Sequence, residues 1–326
     1  MSFKICVIGC GEITRLAHGN AYKKYAETHD DTVLAACCSR NLTKAESFKN
    51  DYGFLKAYSD WEEMLDNESP DAVCLNSPVN ITAGLSCEIL EKGYPLLLEK
   101  PPGMNIDELN RIIAAASKSR APNMVAFNRR FMPLMEVLFE KAHQTGHIQN
   151  INCEFFRVNR TDNDFATTSI HGIDAVRFLA NSDYKHVDFY YQELPQYGEF
   201  VYNVIMECQF TSGATATLRF LPMTGAVIER YTVNAGQSTF FANLPWENCI
   251  DDPGILTQYT DSKKIFELPG VEKEFYMSGG FYRENEVFFD TVRCGGSLSC
   301  DVNSAVQSVE IMDFMRLKKP RYSLNS

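Results

Sequence analysis

The sequence predicts an α/β protein of two domains. Residues 1–129 read as a doubly wound parallel sheet, and residues 130–326 as an α+β domain with a large, open, mainly antiparallel sheet. Three observations carry that expectation. Short apolar runs alternate with amphipathic segments through the first domain, the pattern of repeated strand–helix units. Past residue 150 the helical pattern thins out and β-rich runs follow one another directly. A chain of 326 residues that is 45% hydrophobic can also bury more than one core.

In order along the chain, "KICVIG", "VLAACC", "DAVCLNS", "PLLLE" and "NMVAF" are brief and apolar, the form of strands buried on both faces. Between them lie "THDDT", "LTKAESFKNDYG", "SDWEEMLDNES", "NITAGLSCEILEKG" and "NIDELNRIIAAASKSR". Asp107 and Glu108 mark an opening turn, and Gly53 and Gly93 mark two closing ones. One helix is expected over about 167–180. "KHVDFYYQEL", "VYNVIMECQF", "ATATLRFL", "IERYTVNA" and "STFFANL" then read as consecutive strands, with no helical pattern until "FYRENEVFFDTVR". The domain boundary is a change of pattern; no Pro/Ser-rich linker marks it.

A net charge of −11 argues against nucleic acid or an anionic membrane as the main partner, since both select for Lys and Arg. No run reaches the ~20 apolar residues of a spanning helix. The N-terminus enters an apolar strand without the pattern of a signal peptide, so a cytoplasmic protein is expected. Eleven cysteines without a framework then read as thiols, and no spacing suits a metal.

Gly9 and Gly11 end the first apolar run directly before a helical segment. There the first glycine makes a tight turn and the second lets backbone approach a pyrophosphate at a helix N-terminus. Thr14 holds the third position of G-x-G-x-x-G. The second strand ends in Ser39 and Arg40, where a protein selective for NAD usually offers a carboxylate to the ribose 2′-hydroxyl. The planar fork of Arg40 suits a 2′-phosphate, so NADP is preferred, with NAD as the alternative.

Glu99, Lys100 and Pro101 follow the run "PLLL", at the strand end where ligands of open α/β sheets gather. In "FATTSIHGID", Thr167, His171 and Asp174 stand at i, i+4 and i+7 and so share one helix face. That polar line lies on an otherwise apolar helix.

"VIGCGEIT" with His18 and Ala21, "NSPVNIT", "LLLEKPPGMN" and "AFNRRFMP" together resemble the glucose–fructose oxidoreductase / inositol dehydrogenase / MocA family. "ENEVFFDTVRCGG" and "DVNSAVQSVEIM" are similar to that family's closing helices. The resemblance implies a Rossmann domain followed by an open-sheet domain that packs against a partner subunit, giving a homodimer or homotetramer. It implies a pocket between the domains where Lys100 and His171 meet the nicotinamide. The expected cofactor set is Gly9, Gly11, Glu12, Ile13, Ser39, Arg40, Asn76, Ser77, Pro78, Asn80, Glu99, Lys100 and Arg129, with Arg130 as the alternative to Arg129. Lys100, His171 and Asp174 are expected at the substrate, a sugar, cyclitol or related alcohol or carbonyl compound. Hydride transfer needs a base for the hydroxyl proton, and the resemblance gives that role to His171, with Lys100 holding the substrate oxygen.

Two positions depart from the family pattern. Counting four residues back from His171, where the family has Asp, reaches Thr167, which cannot stabilise an imidazolium. Thr82 stands where relatives often carry His. An oxidoreductase with altered proton handling is therefore expected; the alternative is a catalytically impaired, NADP-binding sensor or regulatory protein of the same fold.

Overall fold

A computed structural model gives the structure of residues 2–324, in two compact units. The first unit comprises the chain up to Asn128 together with Gly280–Val309; the second comprises Arg129–Gly279 and the chain from Glu310 onward.

The first unit is a six-stranded parallel sheet, and its strands are β1 (Phe3–Ile8), β2 (Thr32–Cys38), β3 (Lys56–Tyr58), β4 (Ala72–Leu75), β5 (Leu96–Leu98) and β6 (Asn123–Val125). Their order is β3-β2-β1-β4-β5-β6, so the strand order, with every pair parallel, reverses between β1 and β4. The connecting helices are α1 (Gly19–Thr28), α2 (Leu42–Tyr52), α3 (Trp61–Glu68), α4 (Val79–Glu91) and α5 (Ile106–Ser119). Capping residues begin three of them. Asn41 accepts from Lys44 N–H, Asp60 from Glu62 and Glu63 N–H, and Asn105 from Glu108 N–H. The five expected strands are present, and β3 is a sixth, too short to show a pattern of its own.

The second unit begins with the 3₁₀ turn Asn128–Phe131 and α6 (Pro133–Thr145), then β7 (Ile148–Phe156) and α7 (Ala166–Ala180). The strands β8 (Tyr184–Glu193), β9 (Tyr202–Phe210), β10 (Thr215–Leu221), β11 (Ile228–Ala235), β12 (Ser238–Asn243), β13 (Ile255–Thr260) and β14 (Lys263–Pro269) follow, then the single turn α8 (Phe275–Ser278). With β15 (Arg321–Ser323) they form a nine-stranded sheet ordered β14-β13-β12-β11-β7-β10-β9-β8-β15. Only β7 and β10 pair in parallel. Helix α6 packs on β11, β12 and β13, and α7 packs on β7 and β10. A side chain at Gly172 would stand 2.7 Å from the Phe220 ring, so glycine there lets α7 lie close to the sheet. On the opposite face, in-register alternate residues include the exposed Tyr190, Ile205 and Phe241.

The returning helices are α9 (Phe281–Cys294) and α10 (Val306–Arg316). The expected division placed all residues from 130 onward in the second domain, whereas Gly280–Val309 groups with the first unit. The cause is an apolar face. Phe289 of α9 packs on Phe3 and Tyr25, the Tyr25 hydroxyl donates to Asp290 at 2.7 Å, and Val125 N–H donates to the Cys300 carbonyl at 2.8 Å.

Candidate active site

The carboxyl ends of β1, β2, β3 and β4 enclose a cleft of about 750 Å³ in the first unit. Its floor is set by close backbone approach. Gly9 has φ +104°, and a Cβ there would sit 2.2 Å from the Asn76 carbonyl oxygen, so no other residue fits. Gly11 differs: nothing lies within 4 Å of where its Cβ would be. The missing side chain leaves open space beside Glu12 and Ile13, where the chain turns into a helix, and a helix start with such space suits a pyrophosphate. That cradle fits a dinucleotide. Thr14, in the place of the third glycine, is fully buried, and its turn, Thr14–His18, is π-helical.

Glu12, Ile13, Ser39, Arg40, Ser77 and Pro78, all named for the cofactor, line the same cleft. Asn76 also lines it, while its amide turns inward to donate to the Tyr22 hydroxyl at 2.9 Å. Lys44, Ser59, Trp61, Ile81 and Leu85 also line it, beyond the expected set, together with Ile8, Cys10 and Cys38 of the strand ends. Lys44 lies one helical turn past Arg40, so the end of β2 offers two cations and a hydroxyl. Trp61 opens α3 just beyond β3, and missing that strand hid it. Asn80 lies in the first turn of α4, exposed and outside the cleft lining. Thr82 is buried, with its hydroxyl 2.8 Å from that of Ser77.

Lys100 is half-buried just beyond β5. Glu99, expected to touch the cofactor, is turned inward. One carboxylate oxygen is 2.6 Å from His18 Nε2, and the other accepts the Lys100 backbone N–H at 3.2 Å. Burial pushes this carboxyl up, but the hydrogen bond from His18 and the Lys100 charge outweigh it and hold the group below its usual range.

In the second unit, His171 is buried on α7. Thr167, one turn before it, donates its hydroxyl to the Asp164 carbonyl at 2.8 Å, so it is engaged in the helix's own first turn. Asp164 lies just before α7, and desolvation by burial raises its carboxyl above the usual range.

Two expected ligand-binding residues have other tasks. Asp174, placed at the substrate, is 1% exposed and accepts two hydrogen bonds from Arg130, at 2.6 and 2.7 Å. Arg129, placed at the cofactor, is equally buried and grips Glu229 at 2.6 and 3.2 Å. Arg157 donates to the same carboxylate, and Trp246 covers the Arg129 guanidinium at 3.6 Å. Burial alone would raise the Glu229 carboxyl, yet the two arginines hold it below its usual range. Both arginines of "NRRF" are therefore internal ties, and the Arg130–Asp174 tie fixes α7 three residues from His171. Among the described residues there is no group of three or more His, Cys, Asp or Glu that could hold a metal ion, and no helix is long and apolar enough to cross a membrane.

Residues 3–127 match the model of the Gfo/Idh/MocA oxidoreductase family, described as an NAD-binding Rossmann fold. Among curated proteins, the chain is 33% identical over 131 residues to a trans-1,2-dihydrobenzene-1,2-diol dehydrogenase of Xenopus tropicalis, covering 38% of each chain. It is 24% identical over 196 residues to a myo-inositol 2-dehydrogenase of Thermotoga maritima, covering 56% of this chain and 57% of that protein. The matching stretch thus spans well under two thirds of either relative's length. A dehydrogenase from Clostridium difficile superposes with a TM-score of 0.84 over 98% of this chain and 100% of its own, at 17% identity, a likeness of fold.

Proposed function

We propose that the chain is an NADP-preferring oxidoreductase, on the premise that residues 3–127 match the model of the glucose–fructose oxidoreductase / inositol dehydrogenase / MocA family. Its substrate is a sugar, a cyclitol or a related alcohol or carbonyl compound. The observation that carries this is the cleft of the first unit, where Gly11 leaves a cradle beside a helix start and Ser39, Arg40 and Lys44 gather at one end. Arg40 and Lys44 have no carboxylate partner among the described residues, so both are available to a 2′-phosphate. Bound there, the nicotinamide coenzyme supplies the hydride donor or acceptor.

The chain supplies the rest. Lys100 holds the substrate oxygen and stabilises charge that develops on it. His171 takes the hydroxyl proton on oxidation and returns it on reduction. Asp174 and Arg129 leave the ligand set and serve to hold this machinery in place. The names of the curated relatives, a dihydrodiol dehydrogenase and an inositol dehydrogenase, support a vicinal diol or polyol as the substrate class. The chain works as a homo-oligomer joined through the face of the nine-stranded sheet that carries Tyr190, Ile205 and Phe241. It works in the cytoplasm, where its cysteines stay reduced.

Titration with NADPH and with NADH, followed by protein fluorescence, tests the cofactor assignment. Trp61 is one of two tryptophans and lines the cleft, so Trp61→Phe should remove most of the quenching. NADPH is expected to bind about tenfold tighter than NADH; tighter NADH would overturn the NADP preference. Polyols, sugars and carbonyl compounds, screened by nicotinamide absorbance, then test turnover.

A second reading, a sensor or regulatory protein of the same fold, is favoured by Thr167, whose hydroxyl is tied to Asp164 and carries no charge for an imidazolium. NADPH binding without turnover on any compound of the panel would select it.

A further inference from the structure

We propose that His18 and Asn285 form a positioning pair that holds Glu99 against the Lys100 backbone and so sets where the Lys100 ammonium stands. This rests on the assignment of Lys100 to the reaction, and it gives work to a buried cluster that the proposed chemistry leaves unused. The chain of contacts has a definite direction. Asn285 Nδ2 donates to the Phe281 carbonyl at 2.7 Å, one turn earlier on α9. A carbonyl only accepts, so the amide is oriented with its NH₂ on that side. The same nitrogen is 3.3 Å from His18 Nδ1. Facing a donor, Nδ1 must accept, which places the ring proton on Nε2. Nε2–H then donates to Glu99 at 2.6 Å, and the other Glu99 oxygen accepts the Lys100 N–H.

The imidazole has no room to turn. It is 1% exposed, with its ring centroid 5.0 Å from that of Phe281, edge to face, and 5.8 Å from that of Tyr22, stacked. His18 also ends the π-helical turn that begins at Thr14, directly after Glu12 and Ile13 of the cleft wall. One short turn therefore ties the cofactor cleft to the lysine. The partner from α9 stands 267 residues away in the sequence and is brought to His18 by the packing of the closing helix on the first unit.

A buried pair can also be mere scaffolding. The two roles part in what Lys100 experiences. Without the His18 donor, burial drives Glu99 toward its neutral form, and Lys100 loses the anion beside it. Its ammonium then gives up a proton more readily, and the amine reacts faster.

The test is labelling of the cofactor-free protein with trace acetic anhydride, with Lys100 quantified by peptide mass spectrometry against Lys92 and Lys118 of the same chain. His18→Phe and Glu99→Gln should raise Lys100 labelling about tenfold, leaving the reference lysines unchanged. His18→Gln, which keeps an N–H donor, should return it to near the wild-type value. Asn285→Leu, which frees the histidine tautomer, should give a smaller rise in the same direction and decides the matter if His18→Phe does not fold. On any substrate that turns over, the same variants should lower kcat with KM and NADPH affinity held. Unchanged Lys100 labelling in all the folded variants, with only a fall in Tm, would overturn the proposal and leave the pair a structural one. Failure of the wild type to bind NADPH would count against the oxidoreductase assignment instead, and the labelling result stands apart from it.

Discussion

The cleft of the first unit and the α7 region of the second are built on different principles. The cleft is made by backbone: strand ends, two glycines and a helix start, with its side chains a few residues from the strands that present them. The α7 region is made by ties between distant side chains, Arg130 to Asp174 across 44 residues and Arg129 to Glu229 across 100. A backbone-made site tolerates changes to its polar side chains without unfolding, and what it loses is affinity. A region held by buried charges should lose stability first.

The largest effect expected from that contrast is at Glu229. Glu229→Gln leaves Arg129 and Arg157 buried against a neutral amide, and breaking such a group costs about 3–5 kcal/mol. Urea unfolding should show it, while NADPH affinity stays at the wild-type value. The pH dependence has a definite sign. The folded Glu229 carboxyl is held below its usual range, so its contribution is fully present above the unfolded value and fades as pH falls through the folded one. The variant should therefore lose part of the acid-side decline. A wild-type unfolding midpoint for Glu229→Gln would break the comparison.

Inside the cleft, the two glycines should separate fold from affinity. Gly9→Ala forces a Cβ against the Asn76 carbonyl and a left-handed φ, strain of about 1–3 kcal/mol before the clash is counted, so it should lower both Tm and binding. Gly11→Ala meets no protein atom, so Tm should hold while NADPH binds about tenfold more weakly, because the methyl stands where the pyrophosphate approaches. Arg40→Asp lies between these in size. It removes a charge-assisted hydrogen bond worth about 1.5–3 kcal/mol, weakening NADPH about 10- to 100-fold with Tm unchanged and NADH held or tightened by the new carboxylate. Equal weakening of both coenzymes would remove the 2′-phosphate from its account.

The same contrast explains what could be read from the sequence. Gly9, Gly11, Ser39 and Arg40 follow apolar runs directly, and a strand end is a local property, so their place in the cleft was legible. Trp61 and Ser59 follow β3, three residues with no usable periodicity, and remained hidden. Lys44 was visible as a cation one turn past Arg40, but only the fold shows that this turn faces the cleft. Asp174 and Arg129 were legible as polar residues in the right motifs. Their partners were not, because helical spacing tells which residues share a face and says nothing of what packs on it. Helix α6, with Pro133 at its first position, and β7, which alternates Ile151, Cys153 and Phe155 at the centre of the second sheet, carry ordinary local signals.

The smallest structural effect, and the one that decides most about function, is expected at Thr167. Thr167→Asp puts a carboxylate at the second residue of α7, where the helix dipole favours it by about 0.3–1 kcal/mol. The change also loses the hydroxyl bond to the Asp164 carbonyl and sets a charge near a partly buried aspartate, so stability should shift by less than about 1 kcal/mol. Chemistry should respond more. A carboxylate one turn before His171 shares its face and can stabilise the imidazolium that forms when the ring takes a proton. In a serine-protease triad, loss of an orienting carboxylate costs ~10⁴ in rate. With a different geometry and a histidine already held by the packing of α7, a gain of roughly 10- to 100-fold in kcat is expected, with NADPH affinity unchanged. A lower kcat would mean that Thr167 serves a reaction of its own. No turnover in either form, with NADPH bound to both, would mean that the cleft holds its coenzyme for signalling.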